Sequence, residues 1–211
     1  MLAAIRQESP TKKSMTDEDR DFGNAKRDMF AEATGHPLLG MIITMLLSDV
    51  YSYLDGARTQ IARISDNLQI YNSQTDGWEN AVAQAHRDIH FYFICWHSIF
   101  QRIVLLKDFS RLTTPRTVYR RYRKELEHYE EARDHEEHFP DRLFGKKNKR
   151  GESLARPGHL GHVDSRGMYY YGGESYDVSH NSLKLLEEIV SSLNLEMTNE
   201  ARAKTKTSSA S

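Results

Sequence analysis

The residues Ile43, Leu47, Val50, Leu54, Ala57, Ile61, Ile64, Leu68 and Tyr71 follow one another at alternating intervals of four and three. On an α-helix that rhythm gathers the apolar side chains into one stripe and leaves polar residues behind it. A polar stretch from Asn72 to Gly77 then interrupts the pattern as a turn would. The rhythm resumes with Trp78, Val82, Ala85, Ile89, Tyr92, Trp96, Ile99, Ile103 and Leu106. Two such segments joined by a few residues predict an antiparallel helical hairpin over Pro37 to Asn72 and Asp76 to Phe109. From Ile89 to Leu106 the second segment is apolar on nearly every side, which predicts the most buried helix of the molecule.

Shorter elements flank the hairpin. Residues 1–15 are polar and irregular and read as a flexible segment. Thr16-Asp17-Glu18-Asp19 combines a capping hydroxyl with first-turn acids, so a helix to Ala33 follows. Thr113-Thr114-Pro115 opens a third long helix, with threonine as cap and proline in the first turn. Its apolar edge is Tyr119, Tyr122, Leu126 and Tyr129, and Pro140 ends it. Gly145 to Gly158 reads as a basic loop, and Gly167 to Gly173, with three consecutive tyrosines, as a small hairpin. A last helix, Ser179 to Leu195, packs through Leu183, Leu186, Val190 and Leu193, and a disordered tail runs from Thr198 to Ser211. The prediction is an all-α helical bundle of about five helices over residues 16–197, with a β-hairpin near the C-terminus.

Composition narrows the function classes. A net charge of −1 makes the chain neither a basic nucleic-acid coat nor an acidic solvating chain, so nucleic-acid contact must come from local patches. The single cysteine, Cys95, excludes a disulfide framework, and its apolar surroundings predict a buried, inert thiol. The N-terminus has no secretory pattern. The most apolar window, Pro37 to Leu47, falls short of the roughly twenty residues that span a bilayer. A cytoplasmic protein without membrane contact is the expectation. Phosphate-loop, dinucleotide, serine-hydrolase and zinc-protease signatures are all missing.

Histidine, ten residues in all, carries the candidate chemistry. His86, His90 and His97 lie along the second long helix, and Glu125, His128, Glu131, His135 and His138 along the third. Facing helices are where bundles build metal sites, so His86, His90 and His128 form one candidate. Only Glu125-Leu126-Glu127-His128 matches the Glu-x-x-His motif that carboxylate-bridged di-iron bundles use twice, and no metal or other cofactor is assigned.

The segment Arg133-Asp134-His135-Glu136-Glu137-His138 resembles the Arg-x4-His motif of the HEPN superfamily, small helical bundles of which many are ribonucleases in toxin–antitoxin, phage-defence and RNA-processing systems. The resemblance implies a metal-independent endoribonuclease. His138 would be the general acid/base, Arg133 would clamp the phosphate, and Asp134 would orient the imidazole. It further implies a homodimer that brings two motifs into one cleft, with RNA as substrate and a protein antitoxin as a possible partner. The chemistry suits the residue types, because histidine titrates near neutrality and arginine offers a fixed fork of donors to phosphate oxygens. Five residues of ideal helix turn through about 140°, so Arg133 and His138 do not share a face. Arg133 instead continues the edge formed by Tyr122, Leu126 and Tyr129, which points it toward another helix or protomer.

Basic residues flank the motif. Arg116, Arg120, Arg121, Arg123 and Lys124 precede it, and Lys146, Lys147, Lys149 and Arg150 follow. Arg120, Arg121 and the four later cations could guide an RNA backbone. They also balance the acids between Glu125 and Glu137. A non-catalytic helical interaction protein, with the motif as an ordinary charged helix end, is the reading from a different class.

Overall fold

A computed structural model describes residues 17–137, 161–171 and 173–208. Their helices are α1 (Asp17–Thr34), α2 (Pro37–Ser73), α3 (Trp78–Phe109), α4 (Thr114–Arg121), α5 (Arg123–Glu137) and α6 (His180–Ser208). Three short strands, β1 (His162–Val163), β2 (Met168–Tyr171) and β3 (Glu174–Asp177), lie between α5 and α6. The chain is a mainly α-helical bundle with a small antiparallel sheet near its C-terminus, as the apolar rhythm predicts.

The hairpin forms as expected and supplies most of the core. Every stripe residue of α2 from Ile43 to Leu68 is buried, as are Ala85, Ile89, Tyr92, Trp96, Ile99, Ile103 and Leu106 of α3. Pro37 starts α2 with its fixed φ, and Gln74 ends it in the left-handed conformation, donating its N–H to the Tyr71 carbonyl. Trp78 opens the stripe of α3 yet remains exposed at the hairpin tip, where its ring meets that of Tyr71. Phe91 and Leu105 are also exposed, so α3 is not apolar-packed all round.

α1 crosses α2 at backbone contact. A Cβ on Gly40 would lie 2.5 Å from the Ala31 nitrogen and the Arg27 carbonyl oxygen, so only glycine admits this approach. The hydrophobic side chain of Phe30 is fully buried beneath it.

Three boundaries differ from the sequence reading. The third long helix is two helices, broken at Tyr122 (φ −111°, ψ 21°), whose hydroxyl donates to Glu188 on α6 at 2.8 Å. That long-range bond and the burial of the ring outweigh the local preference for one continuous helix. The predicted hairpin is a three-stranded meander, β1-β2-β3, with Tyr169 opposite Tyr176. The last helix runs through much of the predicted disordered tail to Ser208, since Met197 and Ala201 are buried and Glu200 bonds to the start of α4. The flexible segment assigned to residues 1–15 lies outside the described residues.

Thr113 does not cap α4 through its side chain. The Glu200 carboxylate accepts the backbone N–H groups of Thr113 and Thr114, both at 2.8 Å. Burial alone would raise this carboxyl, but those two N–H donors hold it down at about 2. One side chain of α6 therefore does the capping that the sequence assigns to a local threonine.

By length and composition both α2 and α3 could cross a membrane, with mean hydropathy of 1.4 and 1.3 over their most apolar windows. The sequence reading, which took Pro37 to Leu47 as too short to span a bilayer, considered only the start of α2. Half of the α3 window is buried inside the bundle, against 28% of the α2 window.

Candidate functional site

α5 is seated on α3 by aromatic packing. Tyr129 stacks on Trp96 with centroids 4.0 Å apart and planes within 11°. Its hydroxyl donates to the Asp177 carbonyl at 2.7 Å, and burial pushes its phenol well above the ordinary range. Beside it, Tyr92 and Ser182 share a buried hydrogen bond of 2.8 Å, which ties α3 to α6. The Tyr169 and Tyr176 rings pack against Phe93 at 5.8 and 5.6 Å, so the sheet rests on α3 beside this seat. Packing thus accounts for Tyr169 and Tyr171, both buried.

Next to this aromatic seat, His97 of α3 and Glu130 of α5 form a close hydrogen-bonded pair, each about one-fifth exposed. Sequence alone shows both residues but not that they meet, because the register of α5 against α3 is set by Trp96 and Tyr129.

One turn further along α5 lies Arg133. Its side chain is 24% exposed and Nη1 donates to Asp134 Oδ1 at 2.8 Å. The preceding residue, Ala132, is buried, so the helix remains packed up to the motif. Arg133 sits at the margin of the core, where the apolar edge of its helix predicts it. Asp134 holds that guanidinium. His138, its expected imidazole partner, lies outside the described residues, as do Lys146, Lys147, Lys149 and Arg150.

Of the remaining RNA-binding candidates, Arg120 is exposed. Arg121 is engaged by Glu196 of α6, with Nη1 to Oε1 at 2.6 Å and Nη2 to Oε2 at 3.4 Å. The bond to Glu196 raises its pKa above the usual guanidinium value. Arg123 is bonded to Glu127 at 2.7 Å, an interaction that lowers the pKa of Glu127. The basic cluster therefore divides into cations that brace the bundle and cations that face solvent.

The histidines of the metal reading are each engaged with a different ring. His86 meets Tyr169 edge-on at 5.7 Å, His90 meets Phe91 at 5.8 Å, and His128 stacks on Tyr176 at 4.6 Å. Among the described residues, no group of three or more His, Cys, Asp or Glu side chains could hold a metal ion. Cys95 is buried against α2, and that burial pushes its thiol up to about 11, well away from a nucleophile's range.

A cavity of about 320 Å³ opens between α2, the β1–β2 turn and the start of α6, lined among others by Leu68, Arg166 and Ser179. It is lined by stripe residues of α2, including Ile61, Ile64 and Leu68, and by none of the candidate catalytic, RNA-binding or metal residues. Compared with known protein families, with characterised proteins and with solved structures, the chain matches none.

Proposed function

We propose that this chain is a HEPN-like, metal-independent endoribonuclease of the cytoplasm, acting as a toxin or defence factor and working as a homodimer. The observation that carries the reading is Arg133: a guanidinium at the margin of a packed helix, held at 2.8 Å by the neighbouring carboxylate of Asp134. A clamp oriented before substrate arrives suits an anionic, crowded phosphate, because its reorganisation is already complete. His138 supplies the proton traffic. It accepts the proton of the 2′-hydroxyl as the 2′-oxygen bonds to phosphorus. Proton delivery to the departing 5′-oxygen completes the cleavage.

The test is direct. Purified protein cleaves RNA in EDTA, and Arg133→Ala and His138→Ala each lower the rate by roughly 100-fold or more. Cleavage that survives both substitutions, or none by the wild type, removes the assignment. The alternative, a helical interaction protein, has one specific observation in its favour: a set of exposed apolar side chains on the hairpin.

A further inference from the structure

The cavity of about 320 Å³ beside α6 joins an apolar floor to a polar rim. The floor is the buried stripe of α2, through Ile61, Ile64 and Leu68, joined by Val178 just before α6. Gln69 and Asn72 stand at its edge on α2, and Arg166 and His180 line it from the β1–β2 turn and the start of α6. That turn is held firmly in place. Asp164 accepts the backbone N–H groups of Arg166 and Met168, each at 2.9 Å. Gly167, at φ 78°, accepts the Val178 N–H at 2.8 Å, and a Cβ on it would come within 3.2 Å of the Ser179 Cβ. The turn is thus pressed against the start of α6. The same Asp164 carboxylate holds the Arg166 guanidinium, with Nε at 3.2 Å and Nη2 at 3.0 Å from Oδ2. This side chain is 78% exposed, so its remaining N–H donors stay open to a second acceptor.

We infer that this cavity binds a small anion with an apolar, hydrogen-bonding body, of the nucleoside monophosphate class. Ligand cavities begin at about 300 Å³, so this one is sized for a single small molecule. Arg166 and His180 line it, and among the described residues no carboxylate does. That lining favours anionic oxygens, and a guanidinium already oriented by Asp164 receives them with little reorganisation. The helix start adds the His180 side chain rather than bare backbone, since Asp177 accepts the Ser179 N–H and the Ser179 hydroxyl accepts that of Asn181. The floor decides what the anion is attached to. Ile61, Ile64, Leu68 and Val178 offer no side-chain hydrogen bond, which suits the face of a purine or pyrimidine and disfavours a body covered in hydroxyls. The amides of Gln69 and Asn72 each carry donor and acceptor, the combination that the edge of a base presents. The cavity shares no residue with the Arg133 motif, so this binding goes beyond the proposed cleavage and does not rest on it.

Isothermal titration calorimetry of the full chain with AMP, GMP, CMP and UMP tests it. The expected result is binding of at least one of them, one per chain, with a Kd below about 1 mM and about tenfold or more tighter than inorganic phosphate or the matching nucleoside. Arg166→Ala and Gln69→Ala, on two different walls, each raise that Kd by about tenfold, equivalent to about 1.4 kcal/mol, while circular dichroism stays unchanged. Should Arg166→Ala unsettle its turn, Gln69→Ala still reads the site from α2. Arg133→Ala leaves the Kd as it is. No binding at about 5 mM overturns the inference, as does binding that survives both cavity substitutions or is lost with Arg133→Ala. Inorganic phosphate or a nucleoside that binds as tightly as the nucleotide overturns it too. RNA cleavage by Arg166→Ala, which leaves α5 untouched, is read separately, so either idea can fail without the other.

Discussion

The α2–α3 hairpin and the α4–α5 arm are both helical, yet different forces hold them. The hairpin is joined along its length by apolar side chains, from Ile43 and Leu106 at one end to Leu68 and Ile89 near the other. The arm is mostly polar, breaks at Tyr122, and buries a narrower apolar edge (Val118, Tyr122, Leu126, Tyr129 and Ala132) that is supplemented at separate points: Glu200 at its start, Glu188 at the break, His97 under its second half. Apolar packing is spread over many contacts and changes little with pH. Point attachments by carboxylates and hydroxyls act one at a time and depend on charge. The molecule therefore carries its candidate site on the less redundant of its two arms, with the hairpin as the rigid support.

Substitutions can break that contrast or sharpen it. The largest effect is expected at the stacked pair that seats the arm on the hairpin. Trp96→Ala removes the surface on which Tyr129 stacks and opens a cavity in the core, costing about 4 kcal/mol in urea unfolding at any pH between 5 and 8. A loss below about 1 kcal/mol would show that α5 is seated by something else. Gly40→Ala comes next. Its Cβ would meet the α1 backbone at 2.5 Å, and the forced separation costs about 2 kcal/mol without touching the arm.

The smallest effect is the most informative about the arm. Glu200→Gln keeps the shape of the side chain but removes the charge that attracts the N–H groups of Thr113 and Thr114, at a cost of about 1.5 kcal/mol at pH 7. The folded carboxyl titrates at about 2, below the roughly 4.3 of an unfolded glutamate. Its contribution is therefore complete above the unfolded value and fades as pH falls toward 2. Wild type and variant should converge in stability between about pH 4 and pH 2. A difference that stays constant through that range would mean that shape, not charge, does the capping.

How much of this could be read beforehand follows the same division. Alternating intervals of four and three assigned Ile43 to Leu68 and Ala85 to Leu106 to a buried stripe, and all are buried. The rhythm is local, set by the helical repeat, and needs no knowledge of the partner. It went wrong at Trp78, where the hairpin tip has too little to pack against. The arm was read less well because its determinants lie far away in the chain. Thr113 looks like a cap, and only the approach of Glu200, 87 residues later, supplies a better one. Arg120 and Arg121 are indistinguishable as neighbouring cations until Glu196 engages the second. Arg133 could be placed at the edge of its helix from spacing, and its side chain is mostly sheltered there. The bond that Asp134 makes to Arg133 was not read from the sequence, which gave Asp134 the orienting of His138, a residue outside the described ones.

The sequence by itself determined the class of fold, the hairpin and the stripe that buries it. Hydrophobic periodicity encodes which side of a helix avoids water, whatever it packs against. Only the tertiary structure decided where the third helix breaks, that the last one runs to Ser208, and which charges are spent on holding the bundle together. It also decided that Trp78, Phe91 and Leu105 of α3 stay exposed. These outcomes depend on the register between helices, which is fixed by contacts between residues distant in the chain, such as Asp49 with Arg102 and Trp96 with Tyr129.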